Sequence, residues 1–201
     1  MRDLVIQSLL LYFVLTILTG VIYPGAVTMV AQLAWPQAAN GSLIKDETTG
    51  GTIGSSLLGQ EFTSDQYFWG RLSATTPPYN AAASSGSNLG PLSPSLLKNA
   101  KARIEALKVP AGKSSKVPVD LVTSSASGLD PHISPASALL QAERVASARG
   151  LTEHEVEELI KQNTEGKQFA VFGESRVNVL QLNLALDRLN RPASSAPKPN
   201  R

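Results

Sequence analysis

The sequence predicts a single N-terminal transmembrane helix followed by an α+β extracytoplasmic domain. Three observations carry this expectation. No charged residue stands between Asp3 and Lys45, and residues 4–35 are almost wholly apolar. Beyond residue 40, short apolar runs between glycine-rich turns give way to helical periodicity with capping signals. Basic residues flank the apolar stretch unequally: Arg2 lies close before it, and only Lys45 follows before Arg71.

The membrane segment follows from length. About 20 apolar residues cross a hydrocarbon core of about 30 Å. A helix over residues 4–35 reaches about 48 Å at about 1.5 Å per residue, so it tilts, kinks or emerges from the bilayer. Pro24 offers a kink, because proline lacks a backbone donor and crowds the preceding turn. Trp35 suits the interface. A cleaved signal peptide is the competing reading, but its apolar core is usually about 7–15 residues long, so a retained anchor is expected. Ser8, Tyr12, Thr16, Gly20, Pro24, Thr28 and Gln32 recur every fourth residue. That row drifts about 40° per step, so only its middle, Thr16, Gly20 and Pro24, can face one neighbouring helix. Small and weakly polar residues are what helix contacts in lipid use. The positive-inside rule puts residues 1–3 in the cytoplasm, and long domains translocate largely regardless of charge. The domain over residues 36–190 is therefore expected to be periplasmic.

Within that domain, Asn40-Gly41 and Gly50-Gly51 mark turns, and 42–45 and 56–60 suit short strands or turns. Tyr67-Phe-Trp-Gly-Arg71 is its densest aromatic cluster. Residues 73–94 form a long loop rich in Ser, Asn, Gly and Pro, a length that is uncommon without a role. Ser93-Pro94 starts a helix to about residue 108, and 117–122 reads as a short strand. Ser134-Pro135 pairs an N-cap with a proline at the first helical position, and Gly150 stops that helix. Thr152-x-x-Glu155 is a capping box opening a helix to about residue 163. A final helix is expected over 175–190, then a disordered Pro/Ser/Ala-rich tail over 191–201. Ser125 and Ser194 are expected to be exposed.

Composition excludes several function classes. The net charge is +2 with scattered basic residues, which argues against nucleic-acid binding. The chain has no cysteine and two histidines, so disulfides and thiolate metal sites are ruled out and no zinc-ligand spacing is visible. Asp130-Pro-His-Ile-Ser134 holds the residue types of a hydrolase triad. A triad needs its histidine between serine and acid, which five consecutive residues do not easily provide, so a turn and a helix cap are the better reading. Ser85-Gly-Ser-Asn-Leu-Gly90 lacks the Gly-Lys-Ser/Thr of a nucleotide-binding loop and reads equally as a partner-docking loop or a plain turn. Gln141 and Arg144 could contact a nucleotide, but with Glu143 and Arg149 they read better as a solvated helix face.

The chain resembles the C-subunit family of the Kdp-type potassium-transporting ATPases. The matching stretches are Thr19-Gly-Val-Ile-Tyr-Pro24, Gly54-Ser-Ser-Leu-Leu-Gly-Gln60, Tyr67-Phe-Trp-Gly-Arg-Leu-Ser-Ala-Thr75 and Ser85-Gly-Ser-Asn-Leu-Gly90. They continue with Val117-Pro-Val-Asp-Leu-Val-Thr-Ser-Ser-Ala-Ser-Gly-Leu-Asp-Pro-His-Ile-Ser-Pro135 and Arg176-Val-Asn-Val-Leu-Gln-Leu-Asn-Leu-Ala-Leu-Asp187. Leu72 departs from the pattern, where proline is expected.

The resemblance implies a non-catalytic subunit of a high-affinity potassium uptake complex in the bacterial inner membrane. Its partners would be a potassium-binding pore subunit, a P-type ATPase subunit, a small stabilising subunit and the lipid bilayer. ATP, magnesium and potassium would belong to the complex, with no cofactor held by this chain alone. The family role is assembly and stabilisation, and also raising the ATPase subunit's affinity for ATP. Arg71, Ser87, Asn88, Asp130 and His132, within the matching stretches, are the candidate partner contacts of the soluble part. A domain outside the cytoplasm cannot touch ATP; were it inside, Gln141 and Arg144 would be the first nucleotide contacts. The alternative is a membrane-anchored extracytoplasmic binding or scaffold protein unrelated to transport.

Overall fold

The computed structural model describes residues 1–109 and 117–189, which form two compact units divided between Ser55 and Ser56. The first unit opens with α1 (Arg2–Ile17), a π-helical turn (Leu18–Ile22) and α2 (Tyr23–Ala34) in unbroken succession. Together they make one helix over Arg2–Ala34, long and apolar enough to cross a membrane and with none of its residues buried. The π turn ends immediately before Tyr23-Pro24. It accounts physically for the proline: a locally wider turn relieves the clash of its ring with the carbonyl four residues earlier. Ser8, Thr16 and Thr19 each donate a hydroxyl hydrogen bond to the carbonyl four residues back, at 2.7–2.8 Å.

After a short α3 (Pro36–Ala39), β1 (Leu43–Lys45) pairs antiparallel with β2 (Thr52–Ser55), with a register shift at Ile44/Lys45. The Asp46 carboxylate shapes the turn between them by accepting from the Thr48 and Thr49 amides. Strand β1 falls within 42–45, read from sequence as a short strand or turn, whereas 56–60 forms no strand. Strand β2 lies just after the turn marked by Gly50-Gly51.

The second unit holds α4 (Pro94–Ala106), α5 (Val119–Val122), β3 (His132–Ile133), α6 (Pro135–Arg149), α7 (Glu153–Gln162), β4 (Thr164–Glu165), β5 (Arg176–Asn178) and α8 (Val179–Leu189). The three strands form one antiparallel sheet in the order β3-β5-β4. Small residues Ala138, Ala142 and Ala146 recur every four positions on α6, and all are buried. They share the core with Val156, Leu159 and Ile160 of α7 and Leu182 and Leu186 of α8. Burying each large aliphatic side chain stabilises the fold by about 1.5–3 kcal/mol.

The capping signals read from sequence are present. Ser134 accepts from the Ser137 amide, and Gly150 adopts the left-handed conformation that ends α6. Thr152 and Glu155 complete the capping box.

Three expectations are corrected. Residues 119–122 are a helical turn rather than a strand. The Asp120 carboxylate on that turn accepts the Ser134 amide at 2.8 Å and the Ser137 hydroxyl at 2.6 Å, clamping the start of α6. The last helix begins at Val179, because Arg176–Asn178 is the central strand, paired on both sides. Ser125 is buried, and its amide donates to the Leu72 carbonyl. The expected tail over 191–201, and Ser194 with it, lie outside the described residues.

Candidate functional site

The Tyr67-Phe-Trp-Gly-Arg71 segment is not a strand, so its backbone must find partners elsewhere. Two buried side-chain amides supply them. Asn183 of α8 accepts from the Phe68 amide at 2.8 Å and donates to the Phe68 carbonyl at 3.0 Å. Gln141 of α6 does the same for Trp69, at 2.9 and 3.1 Å. Arginines close the flanks. Arg144 donates to the carbonyls of Asp65 and Tyr67, and Arg149 to that of Gln66. Arg103 and Arg144 lie 5.0 and 4.5 Å from the Trp69 ring centre, in cation–π range. The segment is a strap tied to three helices.

Gln141 and Arg144 are therefore not a solvated face. Gln141 is buried and fully engaged by Trp69, Ser137 and Arg144. Burial lowers the Arg144 guanidinium to about 10, which leaves it charged at neutral pH. A cleft of about 400 Å³ runs beside Arg144, where Asp65 and Glu143 set two carboxylates against the two cations Lys108 and Arg144, so the lining carries no net positive charge for a triphosphate. Contact with a nucleotide would require both side chains to leave the strap.

Beyond the strap the chain reaches Arg71, and here three of the sequence-derived candidates meet. Arg71 Nη1 lies 3.1 Å from Asp130 Oδ2, and Nη2 donates to the Ser124 carbonyl at 3.2 Å. Asp130 Oδ1 accepts the His132 amide at 2.9 Å, and His132 Nδ1 lies 3.4 Å from the same oxygen. Partial burial would raise the Asp130 pKa, but the hydrogen bonds from His132 and the Arg71 guanidinium together hold it below its ordinary value. All three side chains are between a quarter and a third exposed. Arg71 Nε is buried and has no hydrogen-bond partner. The Tyr79 hydroxyl donates to the Arg71 carbonyl at 2.6 Å, and burial pushes its pKa up to about 12.

Glycines allow this corner to close. A side chain at Gly59 would strike the Tyr79 ring, one at Gly70 the Tyr79 hydroxyl, and one at Gly128, where φ is +71°, would meet Thr75 and the Ser85 carbonyl. The loop over 73–94 is pinned here as well. Ser73 Oγ donates to the Gly128 carbonyl at 2.7 Å, and Ser84 and Ser85 both donate to the Ser127 carbonyl. Ser87 and Asn88 sit exposed just beyond that anchor, Asn88 with a positive φ of 50°.

Asp130 and His132 touch as a triad would require, but Ser134 does not join them. Its hydroxyl lies 2.9 Å from Ser137 Oγ and 3.3 Å from Asp120 Oδ1, at the cap of α6. Among the described residues no three His, Cys, Asp or Glu side chains gather as a metal site. Sequence reasoning missed Tyr79 and Arg103, whose roles depend on contacts across the fold.

The class these observations define is a chain with one candidate membrane helix and a mixed helix-and-sheet domain, whose central polar side chains tie its own backbone together. Comparison with known proteins makes the class particular. Residues 5–188 match the sequence model of the family described as KdpC: K+-transporting ATPase, c chain. The potassium-transporting ATPase KdpC subunit of Burkholderia orbicola (strain MC0-3) is 58% identical over 189 residues, covering 93% of this chain and 97% of that one. The KdpC subunits of Herpetosiphon aurantiacus and Dechloromonas aromatica are 56% and 55% identical, covering 94% and 95% of this chain and 98% and 100% of theirs. The chain belongs to the C-subunit family of the potassium-transporting ATPases.

Proposed function

We propose that this chain is an assembly and stabilising subunit of an ATP-driven potassium uptake complex. It lies in the bacterial inner membrane, N-terminus in the cytoplasm and α+β domain in the periplasm. There it braces the potassium-binding pore subunit, the P-type ATPase subunit and the small stabilising subunit against one another. Those partners handle ATP, magnesium and potassium. An effect on ATP affinity is transmitted through the membrane, by binding one state of the ATPase subunit better than another. The observation that carries this reading is the pairing of a long apolar helix, none of it buried, with a domain whose central polar groups are tied internally. In a member of this family, that pairing suits holding partners rather than performing chemistry.

Topology in intact cells tests it. The chain has no native cysteine. Ser125 is buried, so the reporter belongs at Lys161, whose side chain is 78% exposed. A Lys161→Cys chain labelled by an impermeant maleimide before lysis puts the domain outside and rules out direct contact with cytoplasmic ATP. Labelling only after lysis overturns the topology and returns Arg144 to consideration. Failure of the native chain to co-purify with ATPase partner subunits would overturn the assembly role itself.

A further inference from the structure

Strands β4 and β5 are joined by a narrow hairpin whose tip is built against ordinary preference. Gln168 and Phe172 exchange two backbone hydrogen bonds at 2.9 Å, and the Val171 and Ala170 amides donate to Gln168 and Lys167 at 3.1 and 3.2 Å. The turn so fixed holds two successive non-glycine residues at positive φ, Phe169 at 51° and Ala170 at 61°. Asparagine and glycine are the residues that take this conformation readily, and a bulky aromatic is a poor choice. The same tip displays Phe169, Val171 and Phe172 at 90%, 72% and 65% exposure. A polar turn would remove both the strain and the exposed apolar surface.

We infer that this tip is a preformed apolar plug that seats in an apolar socket on a partner subunit of the potassium-transporting ATPase. The inference rests on the assembly reading above. Two observations favour a protein socket over lipid. The cations of the hairpin are both ion-paired, Lys167 with Glu174 at 3.3 Å and Arg176 with Glu165 at 2.9 Å. They leave little net positive charge for anionic headgroups, which amphipathic lipid binders supply. A backbone held by four internal hydrogen bonds is also preorganised, which benefits a shaped pocket and gives little advantage in fluid lipid. Buried aromatic anchors are the residues that dominate interface energies. Each phenylalanine can bury about 150–250 Å² against about 800 Å² per partner in a standard interface. The plug is thus one anchor of a larger contact.

The test uses the full chain expressed with its partner subunits. A photoreactive benzoylphenylalanine replacing Phe169 is irradiated in native membranes. A crosslink to a partner subunit, identified by mass, is the expected result. Crosslinking only to lipid, to a second copy of this chain, or to nothing overturns the plug. In parallel, a Phe169→Ser/Phe172→Ser chain should co-purify with its partners at least about tenfold less at dilute concentration, and Phe169→Leu/Phe172→Leu should restore most of the recovery. The exposed tip supports no core, so melting of the isolated full chain in detergent should be unchanged. If the native chain recovers partners and the serine variant does so equally, the plug fails while the assembly reading stands. If the native chain recovers none, the assembly reading has failed first.

Discussion

Asn183 and Gln141 do for the Phe68-Trp69 strap what a neighbouring strand would do in a sheet. Each primary amide sets an N–H donor beside a carbonyl acceptor, as a peptide group on a neighbouring strand would. Replacing Asn183 with the similarly sized leucine leaves the Phe68 amide and carbonyl buried and unpartnered. Each such group costs about 1–3 kcal/mol, so Asn183→Leu should lower the stability of the full chain by about 2–4 kcal/mol in denaturant melts. Gln141→Leu should behave alike. An unchanged melt for Gln141→Leu, with a raised KM for ATP in the complex, would instead make Gln141 a nucleotide contact. Asp130 gives a pH-dependent prediction. Its folded pKa lies below the ordinary value, because His132 and Arg71 outweigh the cost of burial. An unfolded aspartate titrates near about 3.9. The carboxylate therefore contributes its stabilisation fully above that value and loses it as pH falls through the lower folded value. Asp130→Asn should be less stable than the native chain at pH 6, and the gap should narrow as melts are taken toward pH 3.

At the level of elements, what was legible from sequence was what local chemistry decides. Ser134-Pro135, Gly150 and Thr152-x-x-Glu155 set the ends of α6 and the start of α7, because a cap depends only on residues within one turn. Thr152→Ala should accordingly cost about 1 kcal/mol, read as a shift in denaturant midpoint. The short strands were not legible. Strands β3 and β4 are two residues each and β5 three, too short for alternation to register, and β3 exists only through a partner distant in sequence. The turn at 119–122 misled for a related reason. Val119 and Val122 favour a strand by β-branching, but Asp120 reaches Ser134 and Ser137 only if the chain coils. The candidate corner was half legible. The sequence singles out Arg71, Asp130 and His132, which do meet, whereas Gln141 and Arg144 read as a solvated face because a helix seen alone does not show the strap lying across it. Glycines separate these two kinds of constraint. Gly50 and Gly128 share a positive φ, near +70°, but a side chain at Gly50 meets open space while one at Gly128 lies 2.8 Å from the Ser85 carbonyl. Gly50→Ala should cost about 1–2 kcal/mol from backbone strain alone. Gly128→Ala should cost more, since it also forces apart the loop over 73–94 and the segment carrying Asp130, and the melts of the two variants make the comparison.

For the whole molecule, the question is what an apolar helix with none of its residues buried contributes besides anchorage. The hydroxyls of Ser8, Thr16 and Thr19 are satisfied by their own helix, so the stripe through Thr16, Gly20 and Pro24 does not need a partner to complete its hydrogen bonds. What it offers is low volume. A side chain added at Gly20 meets nothing within 4 Å, and the same is true at Gly25. Five residues along an α-helix turn the direction by about 140°, so the two glycines address different neighbours although both are open in the isolated chain. Gly20 sits in the π turn and Gly25 two residues into α2, which alters that angle without superposing them. Close approach of backbones is how small residues bring helices together in lipid, where apolar surface alone gives no preference for protein over lipid. If the stripe seats against a membrane-embedded partner, Gly20→Leu should reduce recovery of the complex by at least about tenfold, as loss of a packing hot spot does, and Gly25→Leu should reduce it far less. Neither variant should alter melting of the isolated chain in detergent, because neither side chain touches the rest of the fold. Equal loss from both would mean that the helix tolerates no added bulk on any side. No loss from either would confine assembly to the soluble domain, and the helix would then serve only to hold that domain at the membrane.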